Sequence, residues 1–429
     1  MAPVPGRTSN EFHTSSNTCS LPVRLAHNRS TMGYKIINFI CTLFLINSFA
    51  FGQSTKEQLS IANSAKLVSK NFYDEVYFTD KLGYLTIPVK IDTSTYEYIF
   101  DTGGFNTVTT KIMKNANLPS LMEVEIGSSN KIKSKIKLSK VPLLQIGKAI
   151  FQDVGVFNFD FSASPVINCY TNGGLIGKSI VREAVWQIDY KKSVIRVSDN
   201  LANMPFVDKG EKIKIELDKT LNPFLKLLIN GKQEKLLLDF GYGGLISLTE
   251  KSASSLKSKN ILTIEGEGNI SANGIVKEKT FITLLENLII GKTELKSQVA
   301  YYSKSNNYNL LGSALIKYFI VTLNFKDEEI ILTPYNNTEY SFQTFGFNIN
   351  LDTNKIYVSK IFNGLNAQKV GLLLNDEVIS INGKQLSSFL NCDGYFHVNN
   401  ILRTEKEIII EIKRGGEQKE FQIIKQKPF

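Results

Sequence analysis

One short pattern occurs twice in this chain, at matching points of a longer duplication. Tyr98-Ile99-Phe100-Asp101-Thr102-Gly103-Gly104 is echoed by Leu236-Leu237-Leu238-Asp239-Phe240-Gly241-Tyr242. Each copy is an apolar strand ending on an aspartate and an x-Gly turn. Each is followed by an apolar-apolar-Gly element, Leu175-Ile176-Gly177 and Leu310-Leu311-Gly312. The aspartates stand 138 positions apart and the later glycines 135. A lone Asp-x-Gly is ordinary turn chemistry, because Asp bonds its own backbone and Gly tolerates a positive φ. Two copies in register mean two aligned half-units, each offering one carboxyl across a pseudo-twofold axis. Two carboxyls desolvated by apolar strands resist double ionisation, share a proton, and can activate water without metal or histidine.

The duplication runs through the neighbouring residues. Leu85–Ile91 and Tyr96–Phe100 read as strands around the turn Asp92-Thr93-Ser94-Thr95, and Phe224–Ile229 and Lys235–Leu238 flank Asn230-Gly231, a strong hairpin signal. Ile146-Gly147-Lys148 matches Ile290-Gly291-Lys292, and Val185–Val197 matches Ile320–Leu332. Short strands punctuated by turns predict a mostly β architecture. The halves are placed at 84–200 and 201–334. Before them, Ser54–Lys81, within an N-terminal segment 53–83, is more helical in composition.

Residues 84–334 resemble a bilobal aspartic protease of the pepsin and retropepsin superfamily. Asp101-Thr102-Gly103 matches that family's Asp-Thr-Gly signature, and the two apolar-apolar-Gly runs match the element that packs behind each catalytic loop. The resemblance implies a two-lobed, pepsin-like acid-protease β-barrel fold. It implies an endopeptidase acting on peptides or proteins, with Asp101 and Asp239 catalytic and with Thr102, Gly103, Phe240, Gly241, Gly177 and Gly312 shaping the loops. Phe240 departs from the family, whose loops carry Thr or Ser there to bond across to the opposite loop. That departure opens a second reading, an inactive bilobal protein that binds peptides. The family's flap hairpin falls on Glu123–Leu144, with Ile126-Gly127-Ser128-Ser129-Asn130 at its tip. Leu238-Asp239-Phe240-Gly241 also spells a kinase motif, but no Gly-rich loop, strand lysine or His-Arg-Asp accompanies it.

After a polar linker at 335–340, residues 341–425 resemble a PDZ domain, an α+β unit. Thr344-Phe345-Gly346-Phe347 matches the loop whose backbone N–H groups hold a peptide C-terminus beside a strand edge. The resemblance implies capture of C-terminal peptides at that groove. His397 falls near the groove's helix.

Composition narrows the rest. The net charge is +10, but 50 basic residues are scattered among 40 acidic ones. The densest run, Lys131–Leu138, mostly alternates basic or polar with apolar residues, as a half-buried strand does, so no nucleic-acid partner is expected. Met32-Gly33-Tyr34-Lys35 leads into an apolar run from Ile36 to Phe51 that closes on small residues before Gln53. This is the pattern of a signal peptide over 32–52, with 1–31 a mis-called extension. It predicts an exported protein, periplasmic or secreted, with no membrane span after cleavage. Beyond residue 52 remain one histidine, His397, and two cysteines, Cys169 and Cys392. The cysteines fall in different predicted units, so no disulfide framework is expected. A His-based triad or zinc site has almost no material, so no metal and no cofactor is expected.

Overall fold

Asn230 and Gly231 adopt φ angles of 49° and 74°, the left-handed pair that closes a two-residue hairpin. They join the strand Pro223–Ile229 to Lys232–Asp239. The corresponding hairpin of the first half joins Tyr84–Ile91 to Ser94–Phe100, with Asp92 at φ 53°. Each second strand ends at its aspartate. Beside each lies the apolar-apolar-Gly strand in parallel register, Leu175 against Ile99 and Leu311 against Leu238. The turns at Gly147 and Gly291 also correspond, with φ of 55° and 62°. Behind them, Lys148 N–H donates to Asp74 and Lys292 N–H to Glu211.

The computed structural model describes residues 55–127, 133–161, 164–258, 260–271, 274–336, 341–352, 355–389 and 391–429, within one compact body, Thr55–Phe429. The signal peptide and extension, the flap-tip residues 128–130 and most of the linker fall outside the described residues. The protein is mostly β. A nine-stranded sheet builds the first half. A six-stranded sheet runs beneath both halves, where Val185–Asp189 of the first pairs with Phe319–Asn324 of the second, Gln187 opposite Thr322. Trp186 anchors this junction, fully buried and stacked on Phe151 at 6.2 Å. Burying such an aromatic contributes on the order of 2–3 kcal/mol.

The structure departs from expectation in two places. Within Ser54–Lys81 only 55–62 is helical, and Tyr73–Tyr77 joins the edge of the six-stranded sheet against Val194–Ser198. Phe72, Val76 and Phe78 there alternate inward, as a strand with one buried face requires. The second departure is covalent, since Cys169 and Cys392 form a disulfide with Cα atoms 5.3 Å apart. The helix Asn391–Thr404 of the C-terminal unit packs on the short helix Ile167–Tyr170 of the first half, and this long-range packing brings the two sulfurs together.

The C-terminal unit also joins the second half. The fifteen-stranded sheet continues from Ile261–Ser271 into Lys355–Phe362, pairing Ile264 with Phe362 and Gly266 with Lys360. Across that seam the buried Glu267 accepts from Asn350 Nδ2 at 2.7 Å and from Tyr357 Oη at 2.5 Å.

Candidate active site

The two aspartate loops meet at the junction of the halves. A Cβ added at Gly103 would lie 2.7 Å from Cγ of Asp239, and one at Gly241 would lie 2.7 Å from Cγ of Asp101. Each loop glycine therefore clears space for the opposite carboxyl. Gly177 and Gly312 clear space for backbone instead, and none of the four glycines has a positive φ. A Cβ at Gly177 would fall 2.6 Å from Gly104 O, and one at Gly312 would strike the backbone of Tyr242 and Gly244. Both let backbone pass directly behind a loop.

Thr102 is fully buried and reaches across. Its Oγ1 donates to Leu238 O at 2.7 Å and accepts from Phe240 N–H at 3.0 Å. Phe240 thus shares in the bridge through its main chain. It cannot return a hydroxyl bond, and its ring instead lies wholly inside the core with Leu236 and Leu238.

The carboxyls are not equivalent. Asp101 Oδ1 accepts from Gly103 N–H at 3.0 Å and Gly104 N–H at 2.8 Å, whereas Asp239 Oδ1 has only Gly241 N–H at 2.9 Å. Burial pushes Asp101 above the usual carboxyl range, while the Gly104 amide, a hydrogen bond from Asp239, the Gly103 amide and the Lys178 charge oppose that rise. Asp239 is raised much further, first by burial, then by the charge of Asp101 and by donating to it. Both carboxyls therefore hold a proton more readily than an ordinary carboxyl does, Asp239 the more so.

Two residues near the pair escaped the sequence reading. Lys178, which follows Gly177, is only 2% exposed. Its ammonium donates to Asn222 Oδ1 of the second half at 2.6 Å and lies 3.9 Å from the centre of the Phe105 ring. Burial lowers its pKa to about 8, against the pull of Asp218, Asp101 and Asp239. Its counterpart Ser313 donates to Gly83 O of the first half at 2.5 Å, so each half ties to the start of the other's hairpin. The second residue is Tyr84, whose phenol is pushed up to about 12 by burial and by the charges of Tyr395, Asp239 and Asp101. A position directly after a loop glycine, or at the mouth of a hairpin, was the available signal for both.

In the C-terminal unit, Thr344, Phe345 and Phe347 are buried and Gly346 has a φ of 90°. Gly346 N–H is engaged by Thr344 Oγ1 at 3.1 Å. Beside the loop lies a cavity of about 170 Å³ walled by Phe345, Phe347, Phe362 and Leu402, with Tyr301 contributed by the second half. His397 stacks on Phe389 at 4.7 Å. Among the described residues no group of His, Cys, Asp or Glu is placed to hold a metal ion, and no helix is long and apolar enough to cross a membrane.

No family model and no curated protein matches the chain. Among solved structures, a retropepsin-like aspartic protease from Rickettsia conorii is similar, at 21% identity over 29% of this chain and 90% of that one, with a TM-score of 0.22. A likeness of that size establishes neither family nor activity.

Proposed function

We propose that the protein is an aspartic endopeptidase, built as two pepsin-like lobes over 84–200 and 201–334 and followed by a PDZ-like unit over 341–425. One observation carries the reading: the carboxyls of two equivalent loops, Asp101 buried and Asp239 partly so, face each other closely enough that each loop glycine abuts the opposite one. In such a pair the Asp101 carboxylate takes a proton from water as the water oxygen attacks the scissile carbonyl carbon. The Asp239 carboxyl donates to the carbonyl oxygen as it becomes tetrahedral. Collapse breaks the C–N bond as the proton taken by Asp101 passes to the leaving nitrogen, while one hydroxyl of the tetrahedral carbon returns its proton to Asp239 and becomes the carbonyl of the product acid. Thr102 and the loop glycines hold the two oxygens in place.

The absent hydroxyl at Phe240 favours the second reading, a bilobal peptide-binding protein without turnover. Against it stands the intact bridge from Phe240 N–H to Thr102 Oγ1. The cavity beside Phe345-Gly346-Phe347, which mixes Phe345, Phe347, Phe362 and Leu402 with Gln343, Asn348, Asn399 and Arg403, supports capture of a peptide C-terminus with an apolar last side chain. Export through the signal at 32–52 belongs to the same reading. A peptide-library digest with the 53–429 chain tests it: cleavage blocked by pepstatin is expected, and a chain that binds peptides yet cuts none would favour the inactive form.

A further inference from the structure

The two halves carry the same strands but not the same cover. Successive side chains of a strand point to opposite faces. On Ser94–Phe100, Tyr98 and Phe100 enter the core shared by the two halves. Ile99 points the other way, 5% exposed, into the core of the C-terminal unit with Val166, Tyr170, Tyr395 and Val398. Leu175, in register with Ile99, packs on the same cluster. Their counterparts Leu237 and Leu310 join no apolar cluster among the described residues.

Asp101 lies two residues beyond Ile99, just past the end of the strand. The strand's ladder with Tyr84–Ile91 begins with Thr86 against Ile99, and Tyr84 lies two residues further out on that partner strand. Tyr84 packs on the same cluster as Ile99, and the charges of Asp239 and Asp101 both bear on its phenol. It is partly exposed, and its neighbour Gly83 abuts the second loop, where an added Cβ would sit 2.9 Å from Gly243 O. The same ladder in the second half puts Asn222 in the equivalent place, held by Lys178. An aromatic ring thus stands at this place in one half and a small amide in the other.

That ring is braced from behind. Tyr84 packs on Tyr170 at 4.8 Å between ring centres, and Tyr170 lies 6.3 Å from Tyr395 and 5.6 Å from Phe396 of the helix Asn391–Thr404. The Tyr170 and Tyr395 hydroxyls are bonded at 3.0 Å, the disulfide follows one residue before Tyr170, and Arg403 pairs with Asp80 at 3.4 Å. A shared apolar core, a disulfide and a continuous sheet make this a permanent contact. A switch would need two states within a few kcal/mol, which such an interface opposes.

We propose that Tyr84, braced by Tyr170 and by Tyr395 and Phe396 of the C-terminal unit, is a specificity-determining residue that fills the first half's side of the cleft. The substrate residue that meets this wall, next to the scissile bond, carries a small side chain such as Gly, Ala or Ser. The C-terminal unit is then part of the cleft. This rests on the peptidase reading above.

Two peptide sets test it on the 53–429 chain, one varying the residue before the scissile bond and one the residue after it, each with Ala against Phe. At one of the two positions Ala is expected to exceed Phe in kcat/KM by about tenfold or more, the range a steric pocket supplies. Tyr84→Ala is expected to bring that ratio close to one by gaining rate on Phe, a change that misfolding cannot produce. Tyr84→Phe keeps the preference, because the ring and not the hydroxyl fills the space. Tyr395→Ala relaxes it partway. If neither position prefers Ala, or if Tyr84→Ala leaves the ratio unchanged, the proposal is overturned. A chain that cuts nothing ends the peptidase reading, and the same peptides are then compared by calorimetric Kd, where equal affinity for Ala and Phe overturns the wall as well.

Discussion

The two aspartate loops differ most at the residue that follows the aspartate. Thr102 in the first half bridges to the second through its hydroxyl, bonding Leu238 O and Phe240 N–H. Phe240 at the matching place spends its side chain on the core and leaves only its amide for the bridge. The same unevenness recurs one layer out, where Tyr84 has Asn222 as its counterpart, Lys178 has Ser313, and the C-terminal unit covers Ile99 but not Leu237. A duplicated fold can keep its backbone symmetry while its side chains separate the roles of two carboxyls. One carboxyl then has two backbone donors and the other one, and the second is raised further.

The largest effect expected from disturbing this arrangement is on the one-sided cover. Cys169→Ser with Cys392→Ser removes a crosslink that spans 223 residues. Closure of so long a loop restrains the unfolded chain, and its loss is expected to cost roughly 3–5 kcal/mol, read as a lower denaturation midpoint. If the C-terminal unit were only loosely docked, the midpoint would hardly move.

A comparable test swaps the loop residues. Phe240→Thr restores the symmetric pair of hydroxyls, so a symmetric account expects it to stabilise. We expect the opposite, a loss of roughly 2–4 kcal/mol, because the cavity left by a fully buried ring outweighs one new hydrogen bond. Thr102→Val is expected to cost roughly 2 kcal/mol, since it strands Leu238 O and Phe240 N–H inside the protein. Urea melts of both variants rank the two halves directly.

Much of this was legible in sequence because it is local. Asn230-Gly231, the apolar strand before each aspartate and the glycine behind each loop all act within a few residues of themselves. The disulfide was not legible, since whether Cys169 meets Cys392 depends on how a helix two hundred residues away docks. The continuation of the second half's sheet into Lys355–Phe362 is equally non-local: a strand edge shows in sequence, but its partner does not. Lys178 was missed because a lone lysine reads as surface, and only the approach of Asn222 from the other half explains its burial. At Phe240 the reading noticed the lost hydroxyl and could not see that the amide would keep the bridge.

A smaller effect sharpens the difference between the carboxyls. Both titrate above their unfolded values, so each supports the fold fully below about pH 4, the ordinary carboxyl value. That support is lost as pH rises through the raised folded values, and more is lost at Asp239, which is raised further. Asp239→Asn removes this titration. The variant is therefore expected to melt above wild type at pH 7 to 8, with the gap closing as pH falls toward 4. A gap that widened in acid would mean that Asp239 is held ionised, contrary to the assignment made here.

The central claim is that Asp101 and Asp239 work as one unit. The measurement that bears on it most directly is peptide cleavage by the 53–429 chain carrying Asp101→Asn or Asp239→Asn, each matched to wild type by circular dichroism. Removing either carboxyl is expected to lower kcat by roughly a thousandfold or more, and removing both is expected to cost little beyond either alone, as groups acting together do. Full turnover by Asp239→Asn with an intact fold would contradict the account, leaving Asp101 to act without its partner.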